Sequence, residues 1–288
     1  MKVDLLAGTA NPGAGDGGAA ARRARILVFD SGLGGLTVHG EIAKSLPSAD
    51  LIYLGDTAVF PYGRLSETEL VDRVVAVIGE AIATHDPGLA VIACNTASTL
   101  ALPVLRAKFP IPFVGTVPAI KPAASLSTSR RISVLATPGT VARDYTRELV
   151  AVHAQDCRVR LVGSPRLASL AEAILNGLPV EDAAILEEIR PAFVEEDGAR
   201  TDVVVLACTH YPLILDRLAD LAPWSVQWID SGPAIARRVL SLTGELPEKA
   251  PPPRRAFFTG HEPVSPALQA ALAGRGIYGT DFLSVTER

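Results

Sequence analysis

The chain has 288 residues, of which 48% are hydrophobic and 20% are charged, and its formal net charge at pH 7 is -4. A chain of this length can bury a substantial core, as one large domain or two medium ones. A net negative charge does not favour binding to a nucleic acid or an anionic membrane, so neither is predicted as a partner. The net charge does not exclude a small anionic substrate, because the binding of such a molecule depends more on the charge of a local pocket than on the net charge of the protein.

The three cysteines are Cys94, Cys157 and Cys208. This odd, sparse set does not form a disulfide framework, and no Cys/His spacing predicts a metal site. We therefore expect reduced thiols in the cytoplasm.

The segment 1–24 is rich in glycine and alanine and has no continuous apolar region of the signal-peptide type. No apolar stretch in the chain reaches the roughly 18 residues of a membrane-spanning helix. We expect residues 1–24 to be a flexible tail, the fold to begin near Arg25, and the protein to be cytoplasmic.

Short runs of Val, Ile and Leu then alternate with amphipathic stretches along the chain. The candidate strands are 26–29, 51–54, 90–93, 113–116, 132–136, 160–163, 203–207, 226–229 and 256–259. In few of these strands do apolar and polar residues alternate strictly, which is typical of parallel strands buried on both faces. Helices are predicted from Ser66 to about Thr84, where Ser66 and Glu69 form a capping box, and from Val180 to about Glu196. This alternation predicts an α/β protein with doubly wound layers.

A faint internal repeat divides the chain. "RILVFDSG" (25–32) is echoed by "RISVLATPG" (131–139), and "GLAVIACNT" (88–96) is echoed by "DVVVLACTH" (202–210). The repeat predicts two similar modules, each with a thiol at the end of a strand.

From this repeat we expect two similar α/β domains in a pseudo-twofold relation, with the active site at their interface. The first would comprise 25–117 and 226–288 and carry Cys94, and the second would comprise 118–225 and carry Cys208.

Polar motifs follow several of the predicted strands. In open α/β sheets, ligands bind beyond the carboxyl ends of the strands. The motif "FDSGLGG" contributes Asp30 and Ser31, and the motif "GDTAVFPYG" contributes Asp56, Tyr62 and Gly63. Two further motifs, "ACNTAS" and "ACTHYP", follow strands in the two modules.

Cys94 and Cys208 each lead towards a predicted helix, with Asn95 or Thr96 as the N-cap of the first and Pro212 in the first turn of the second. A helix N-terminus favours a thiolate and presents free N–H groups to a carboxylate. Hydroxyl groups would assist there, and the candidates are Thr96, Ser98 and Thr209.

Two thiols on opposite sides of one bound carbon could invert it without a cofactor, because one takes the Cα hydrogen and the other delivers a proton. A single cysteine at the end of an apolar strand is more often a core residue. Two cysteines in matching contexts favour function, whereas Cys157 lacks such a context and is interpreted as structural or incidental.

Four ordered motifs, "VFDSGLGGLTV", "YLGDTAVFPYG", "ACNTAS" and "VVLACTHYPL", resemble those of glutamate racemases in the aspartate/glutamate racemase superfamily. The resemblance extends from Arg25 to about Val239. It implies interconversion of L-glutamate and D-glutamate without a cofactor or metal, as a supply for peptidoglycan synthesis. Whether the chain forms a homodimer stays open.

The resemblance also implies roles for individual residues. Cys94 and Cys208 match the catalytic acid/base pair, Asp30 would tune Cys94, and His210 would do the same for Cys208. Glu172, in "GSPRLASLAE", matches only loosely a glutamate that assists the second cysteine. The implied substrate-binding residues are Asp30, Ser31, Tyr62, Gly63, Asn95, Thr96, Thr137, Thr140, Thr209 and His210.

Other functions share parts of this pattern. Aspartate and hydantoin racemases and maleate isomerase-like enzymes also have two cysteines, although the "CTHYP" and "DSGLGG" forms favour glutamate. A two-lobed protein that binds an acidic amino acid without chemistry, and a thiol redox protein, are the alternatives from other classes.

Overall fold

The computed structural model describes residues 25–247 and 250–285, so the predicted tail at 1–24 lies outside the described residues. The strands are β1 (Arg25–Asp30), β2 (Asp50–Gly55), β3 (Leu89–Ile92), β4 (Phe113–Gly115), β5 (Arg131–Ala136), β6 (Arg158–Gly163), β7 (Glu195–Glu196), β8 (Ala199–Arg200), β9 (Val203–Ala207), β10 (Gln227–Ile229), β11 (Arg254–Phe258) and β12 (Ile277–Phe282).

The α-helices connect these strands and are α1 (Leu36–Ser45), α2 (Glu67–His85), α3 (Asn95–Lys108), α4 (Ile120–Leu126), α5 (Pro138–Ala142), α6 (Asp144–His153), α7 (Leu167–Leu175), α8 (Asp182–Ile189), α9 (Leu215–Leu221), α10 (Gly232–Thr243) and α11 (Pro266–Ala273). Within the described ranges, no helix is both long and apolar enough to cross a membrane.

The described residues fall into two compact units. One unit contains those up to Thr116 together with those from Gly232 onward, and the other is Val117–Ser231. The first unit holds a six-stranded sheet in the order β12-β11-β2-β1-β3-β4, and the second holds a four-stranded sheet in the order β10-β9-β5-β6. Every pairing within these two sheets is parallel, which confirms the predicted α/β class.

The internal repeat is present as a repeated strand order. The strands β2-β1-β3-β4 of the first sheet correspond to β6-β5-β9-β10 of the second, and the first sheet is extended by β11 and β12. Because β3 and β9 occupy the same place in the two orders, Cys94 and Cys208 follow equivalent strands.

The core of the first unit follows from its sequence pattern. Residues 26–29 of β1 are fully buried, as expected for a central strand covered on both faces. Helix α2 begins after Ser66, whose side chain accepts from the Glu69 N–H while the Glu69 side chain accepts from the Ser66 N–H, so the predicted capping box is confirmed. One face of α2 is buried and includes Leu70, Val74, Val77, Ile78 and Ala81.

The second predicted helix, 180–196, is wrong at its end. Helix α8 stops at Ile189 and a short 3-10 helix, Arg190–Ala192, follows it. Pro191 has no N–H to continue the α-helical hydrogen bonds. The next residues form the antiparallel hairpin of β7 and β8, whose turn residues Asp197 and Gly198 have φ values of 54° and 72°.

The predicted domain boundary near 226 is also displaced. Strand β10 pairs with β9 in the second sheet, and the chain enters the first unit only from Gly232. Strand β12 was not predicted, because it lies at the edge of the first sheet and most of its residues are exposed or half-buried, so they show no continuous apolar run.

Asp202 fixes the loop that leads into β5. Its carboxylate accepts hydrogen bonds from Ser127 Oγ at 2.6 Å, Thr128 N at 2.7 Å, Thr128 Oγ1 at 2.9 Å and Ser129 N at 2.8 Å. Partial burial alone would raise the pKa of Asp202, but these hydrogen bonds prevail and lower it to about 2. The charged carboxylate therefore stabilises the folded loop.

We expect Asp202→Asn to lower the free energy of unfolding at pH 7 by about 1–3 kcal/mol, because the donors lose a charged acceptor. The folded pKa of about 2 lies below the ordinary value of 3.8, so the contribution is fully present above pH 3.8 and is lost as pH falls towards 2. Urea unfolding of both proteins between pH 7 and pH 3 measures the difference. A gap between variant and wild type that stays constant over this range would contradict the assignment.

Candidate functional site

The carboxyl ends of β1, β2 and β3 lie together at one edge of the first sheet. In the parallel register, Asp30 pairs with Gly55 and Phe29 pairs with Ile92. The prediction that Asp30 follows the strand is wrong, since it is the last residue of β1 and is fully buried. Its Oδ2 accepts the N–H of Gly32 at 2.9 Å, which fixes the start of the glycine-rich turn.

Glycines are required where this turn packs against the strands. A Cβ at Gly35 would lie 2.7 Å from Cβ of Asp30, and a Cβ at Gly55 would lie 2.6 Å from the carbonyl oxygen of Gly32. Side chains at these positions would force the backbone away from the sheet edge. Close packing at the edge thus explains Gly35, the last glycine of "DSGLGG".

Cys94 is a buried free thiol between β3 and α3. Its Sγ lies 3.5 Å from Oγ of Ser31, which is buried on the turn after β1. The predicted N-cap at Asn95 or Thr96 is wrong: Cys94 itself is the N-cap, and both following residues lie in the first turn of the 14-residue helix α3. The thiol is therefore one residue closer to the N-terminal N–H groups than expected.

Asn95 has an unpartnered side chain. The residue is 4% exposed, and within the described structure neither its Nδ2 nor its Oδ1 has a hydrogen-bond partner. A buried amide without partners is destabilising, so Asn95 leaves one donor and one acceptor beside Cys94 that a ligand could satisfy.

Ser98, predicted to bind a carboxylate, is instead part of the fold. Its hydroxyl donates to the Ile92 carbonyl at 2.8 Å and accepts from the Thr116 N–H at 3.0 Å. Thr96 is buried in the first turn of α3, near Cys94 in the chain, as the prediction requires.

Asp56 connects several segments at the same edge. It is fully buried and binds Tyr62, Arg73 and Thr259, of which the last two were not found from the sequence. Burial, and then the charge and hydrogen bond of Asp56, raise the pKa of Tyr62 well above its ordinary value. Gly63 follows Tyr62 in a short 3-10 helix, Tyr62–Arg64, and is exposed.

The second unit presents an equivalent edge. Ala136 pairs with Gly163 and with Ala207, so Thr137, Ser164 and Cys208 follow three neighbouring strands. Cys208 is 7% exposed and carries a free thiol. The two units thus each place a buried thiol at the carboxyl end of an equivalent strand.

Cys208 begins a line of three titratable side chains. Its Sγ lies 3.7 Å from Nδ1 of His210, and Nε2 of His210 lies 2.8 Å from Oε1 of Glu172 on α7. Because a carboxylate only accepts, Nε2 carries a proton in this contact, and in the neutral form of the ring Nδ1 can accept from the thiol. The loosely matched Glu172 is therefore in direct contact with His210.

The helix expected directly after Cys208 is not an α-helix. A 3-10 helix, Tyr211–Ile214, follows the cysteine, and α9 begins only at Leu215. Pro212 does lie in the first turn of this short helix, as predicted. A single 3-10 turn has a smaller dipole than α3, so the histidine contact distinguishes the surroundings of Cys208 from those of Cys94.

Thr137 and Thr140 lie at the start of α5. Thr137 is the N-cap, with its Oγ1 3.1 Å from Oγ1 of Thr140 and 3.4 Å from the Thr140 N–H. Thr209 is buried between Cys208 and His210 in the chain. The predicted residues of the second unit thus gather at the edge that carries Cys208.

Sequence reasoning missed a second buried carboxylate at this edge. Glu188 accepts from Ser164 Oγ at 2.5 Å and from Arg166 Nε at 2.7 Å. Although burial opposes it, hydrogen bonds from Ser164 and Arg166 lower the pKa of Glu188. No sequence spacing links these residues, because they meet only when α8 packs beside the end of β6.

Among the residues that the structure describes, no group of three or more His, Cys, Asp or Glu side chains could hold a metal ion. The chemistry available at the two edges is that of thiols, an imidazole, carboxylates and hydroxyls.

Comparisons with known proteins identify relatives of the chain. The family model "Asp/Glu/Hydantoin racemase" matches residues 37–239. The glutamate racemase of Brucella canis is 50% identical over 259 residues, covering 88% of this chain and 92% of the relative.

Solved structures give the same result. Escherichia coli glutamate racemase, in complex with L-glutamate and the activator UDP-MurNAc-Ala, matches with a TM-score of 0.84 at 43% identity, over 91% of this chain and 99% of that chain. Glutamate racemase isoform RacE1 from Bacillus anthracis matches with a TM-score of 0.74 at 29% identity, over 92% and 98% of the two chains. The chain therefore belongs to the Asp/Glu/Hydantoin racemase family and, within it, to the glutamate racemases, which are amino-acid isomerases.

Proposed function

We propose that the protein is a cofactor-independent glutamate racemase in which Cys94 and Cys208 act on opposite faces of one Cα. The observation that carries the proposal is the repeated placement of a buried free thiol after β3 and after β9, two strands with the same place in their sheets. The relatives support glutamate as the substrate, since one solved neighbour is in complex with L-glutamate.

The surroundings of Cys94 suit an amino-acid zwitterion. The Asn95 amide can donate to the substrate α-carboxylate through Nδ2 and accept from the ammonium through Oδ1, and both atoms lack partners within the described structure. The N-terminal N–H groups of α3 favour negative charge there. We assign substrate contacts in this unit to Asp30, Ser31, Tyr62, Gly63, Asn95 and Thr96.

The surroundings of Cys208 suit proton transfer to and from a thiol. With Glu172 accepting from Nε2, the Nδ1 atom of His210 can take the Cys208 proton and leave a thiolate beside an imidazolium. Glu172 then stabilises the imidazolium. In this unit we assign substrate contacts to Thr137, Thr140, Thr209 and His210.

The reaction follows from two such thiols. One cysteine, as thiolate, removes the Cα hydrogen and becomes a thiol, and the electron pair left on Cα is delocalised into the α-carboxylate. The second cysteine, as thiol, delivers its proton to the opposite face and becomes a thiolate. Atoms and charge balance, and the reverse reaction exchanges the two roles.

The physiological role follows from the product. We propose that the enzyme supplies D-glutamate for peptidoglycan synthesis, and hence for cell wall biogenesis and cell shape, in the cytoplasm. A homodimer stays a prediction without an assigned interface.

Removal of either thiol tests the mechanism. We expect Cys94→Ser and Cys208→Ser each to lower kcat by about 10²–10⁴-fold, because a hydroxyl is a poor base at neutral pH. Cys157→Ser, which alters the half-buried cysteine, should retain near wild-type activity. Circular dichroism of L-glutamate and D-glutamate solutions measures turnover, and a fully active single serine variant at 94 or 208 would refute the two-thiol proposal.

Exchange of the Cα hydrogen separates a racemase from a binding protein. In D2O without added cofactor, we expect D-glutamate formed from L-glutamate to carry deuterium at Cα, since the donating thiol exchanges with solvent. Aspartate, which is shorter by one methylene, should show kcat/KM lower by about 10–200-fold. Unexchanged glutamate would indicate binding alone, and equal or faster aspartate turnover would change the substrate.

Glu172 offers a test of the line of side chains behind Cys208. We expect Glu172→Gln to lower kcat by about 100-fold with a smaller change in KM, because the amide does not stabilise the imidazolium. Glu148→Gln, at an exposed position of α6, is the matched control. If the two variants have the same kcat, Glu172 has no role in proton transfer.

A further inference from the structure

We propose that Arg73 is a positioning residue for the racemase reaction, acting through the buried carboxylate of Asp56 to hold Tyr62 and Gly63 where they bind substrate. This inference rests on the proposed function, which assigns substrate contacts to Tyr62 and Gly63. Arg73 itself lies on α2 and is assigned no contact with substrate.

Both carboxylate oxygens of Asp56 are occupied by donors. Oδ1 accepts from Arg73 Nη2 at 2.6 Å and from Thr259 Oγ1 at 2.6 Å. Oδ2 accepts from Arg73 Nε at 3.0 Å and from the Tyr62 hydroxyl at 2.5 Å. One side chain thus joins the segment after β2, the 3-10 helix Tyr62–Arg64, helix α2 and the segment after β11.

The charge of Arg73 makes this arrangement stable. The Asp56 side chain is 0% exposed, and a buried carboxylate is strongly unfavourable without a counter-charge and hydrogen bonds. The Arg73 side chain is 17% exposed and supplies two parallel N–H donors from its planar guanidinium. A lysine would supply charge without that two-pronged geometry.

Gly63 follows Tyr62 directly and is itself exposed. A Cβ built at Gly63 would meet nothing within 4 Å, so no neighbouring side chain covers this position. Tyr62, in contrast, is 2% exposed, and its ring centroid lies 6.4 Å from that of Phe29. The hydrogen bond from Tyr62 to Asp56 acts together with this packing and with the backbone hydrogen bonds of the 3-10 helix to position the segment that contains Gly63.

The same sheet contains a second, more exposed arginine–aspartate ion pair at the amino ends of its strands. Arg25 Nε donates to Asp50 Oδ2 at 2.6 Å, and these residues begin β1 and β2, whereas Asp56 follows the end of β2. Arg25→Gln thus removes an arginine–aspartate pair from the same strands without touching the predicted substrate-binding edge.

The test compares Arg73→Gln, Arg73→Lys and the control Arg25→Gln. We expect Arg73→Gln to raise KM for glutamate by about 10–100-fold, the range for loss of a hydrogen bond to a charged group. Arg73→Lys should raise it less, and Arg25→Gln should leave KM unchanged. If Arg73→Gln does not fold, the KM of Arg73→Lys decides, because the lysine keeps the counter-charge.

A double-mutant cycle tests whether Arg73 acts through Tyr62. Tyr62→Phe removes the hydroxyl that binds Asp56, so the double variant of Arg73→Lys and Tyr62→Phe should raise KM by less than the product of the two single increases. Calorimetric titration of each variant with L-glutamate should show the same order of affinities.

The outcomes distinguish the inference from the proposed function. If wild-type protein does not racemise glutamate, the proposed function fails. If the wild type is active but the Arg73 variants have the same KM as Arg25→Gln, the positioning role is wrong. It is also wrong if the double variant of Arg73→Lys and Tyr62→Phe raises KM by the full product of the two single increases.

Discussion

Parallel pairing of β1 with β2 and β3, and of β5 with β6 and β9, is the constraint on which the rest of the structure depends. Parallel strands end at the same edge, so residues far apart in sequence are brought together there by register alone. Asp30, Asp56 and Cys94 meet in this way in one unit, as do Thr137, Ser164 and Cys208 in the other. The polar ends of apolar strands become a site because the strands are parallel.

The two thiols differ in how they are supported. Cys94 is the N-cap of a 14-residue helix and contacts a serine hydroxyl, whereas Cys208 precedes a short 3-10 helix and contacts a histidine backed by a glutamate. A long helix supplies fixed partial charge, while an imidazole supplies a group that accepts and returns a proton. The repeated topology thus places its two thiols among chemically different neighbours.

Much of this arrangement could be predicted from the sequence. The buried strands and the capped helix α2 depend on apolar runs and local hydrogen bonds, which a sequence displays directly. The motifs "ACNTAS" and "ACTHYP" showed where the thiols lie relative to the strands. Edge strand β12 and the end of α8 were missed, because an exposed strand has no apolar run and the apolar pattern of the predicted helix continues past Pro191, where the α-helical hydrogen bonds stop.

The partners of Asp56 could not be predicted. Arg73 is 17 residues and Thr259 is 203 residues away along the chain, and only the packing of α2 and the pairing of β11 with β2 bring them to the carboxylate. Glu188 and Ser164 meet for a similar reason. Long-range polar contacts leave no periodic trace, so the networks that support a site are less visible in sequence than the reactive groups.

The unpartnered amide of Asn95 has an evolutionary consequence. An apolar residue of similar volume would remove the unfavourable burial of two polar atoms, so selection for thermal robustness alone would favour replacing it. Under the proposed function, Asn95 at the start of α3 exchanges stability for ligand recognition, and laboratory variants that lose Asn95 would gain robustness at the expense of turnover.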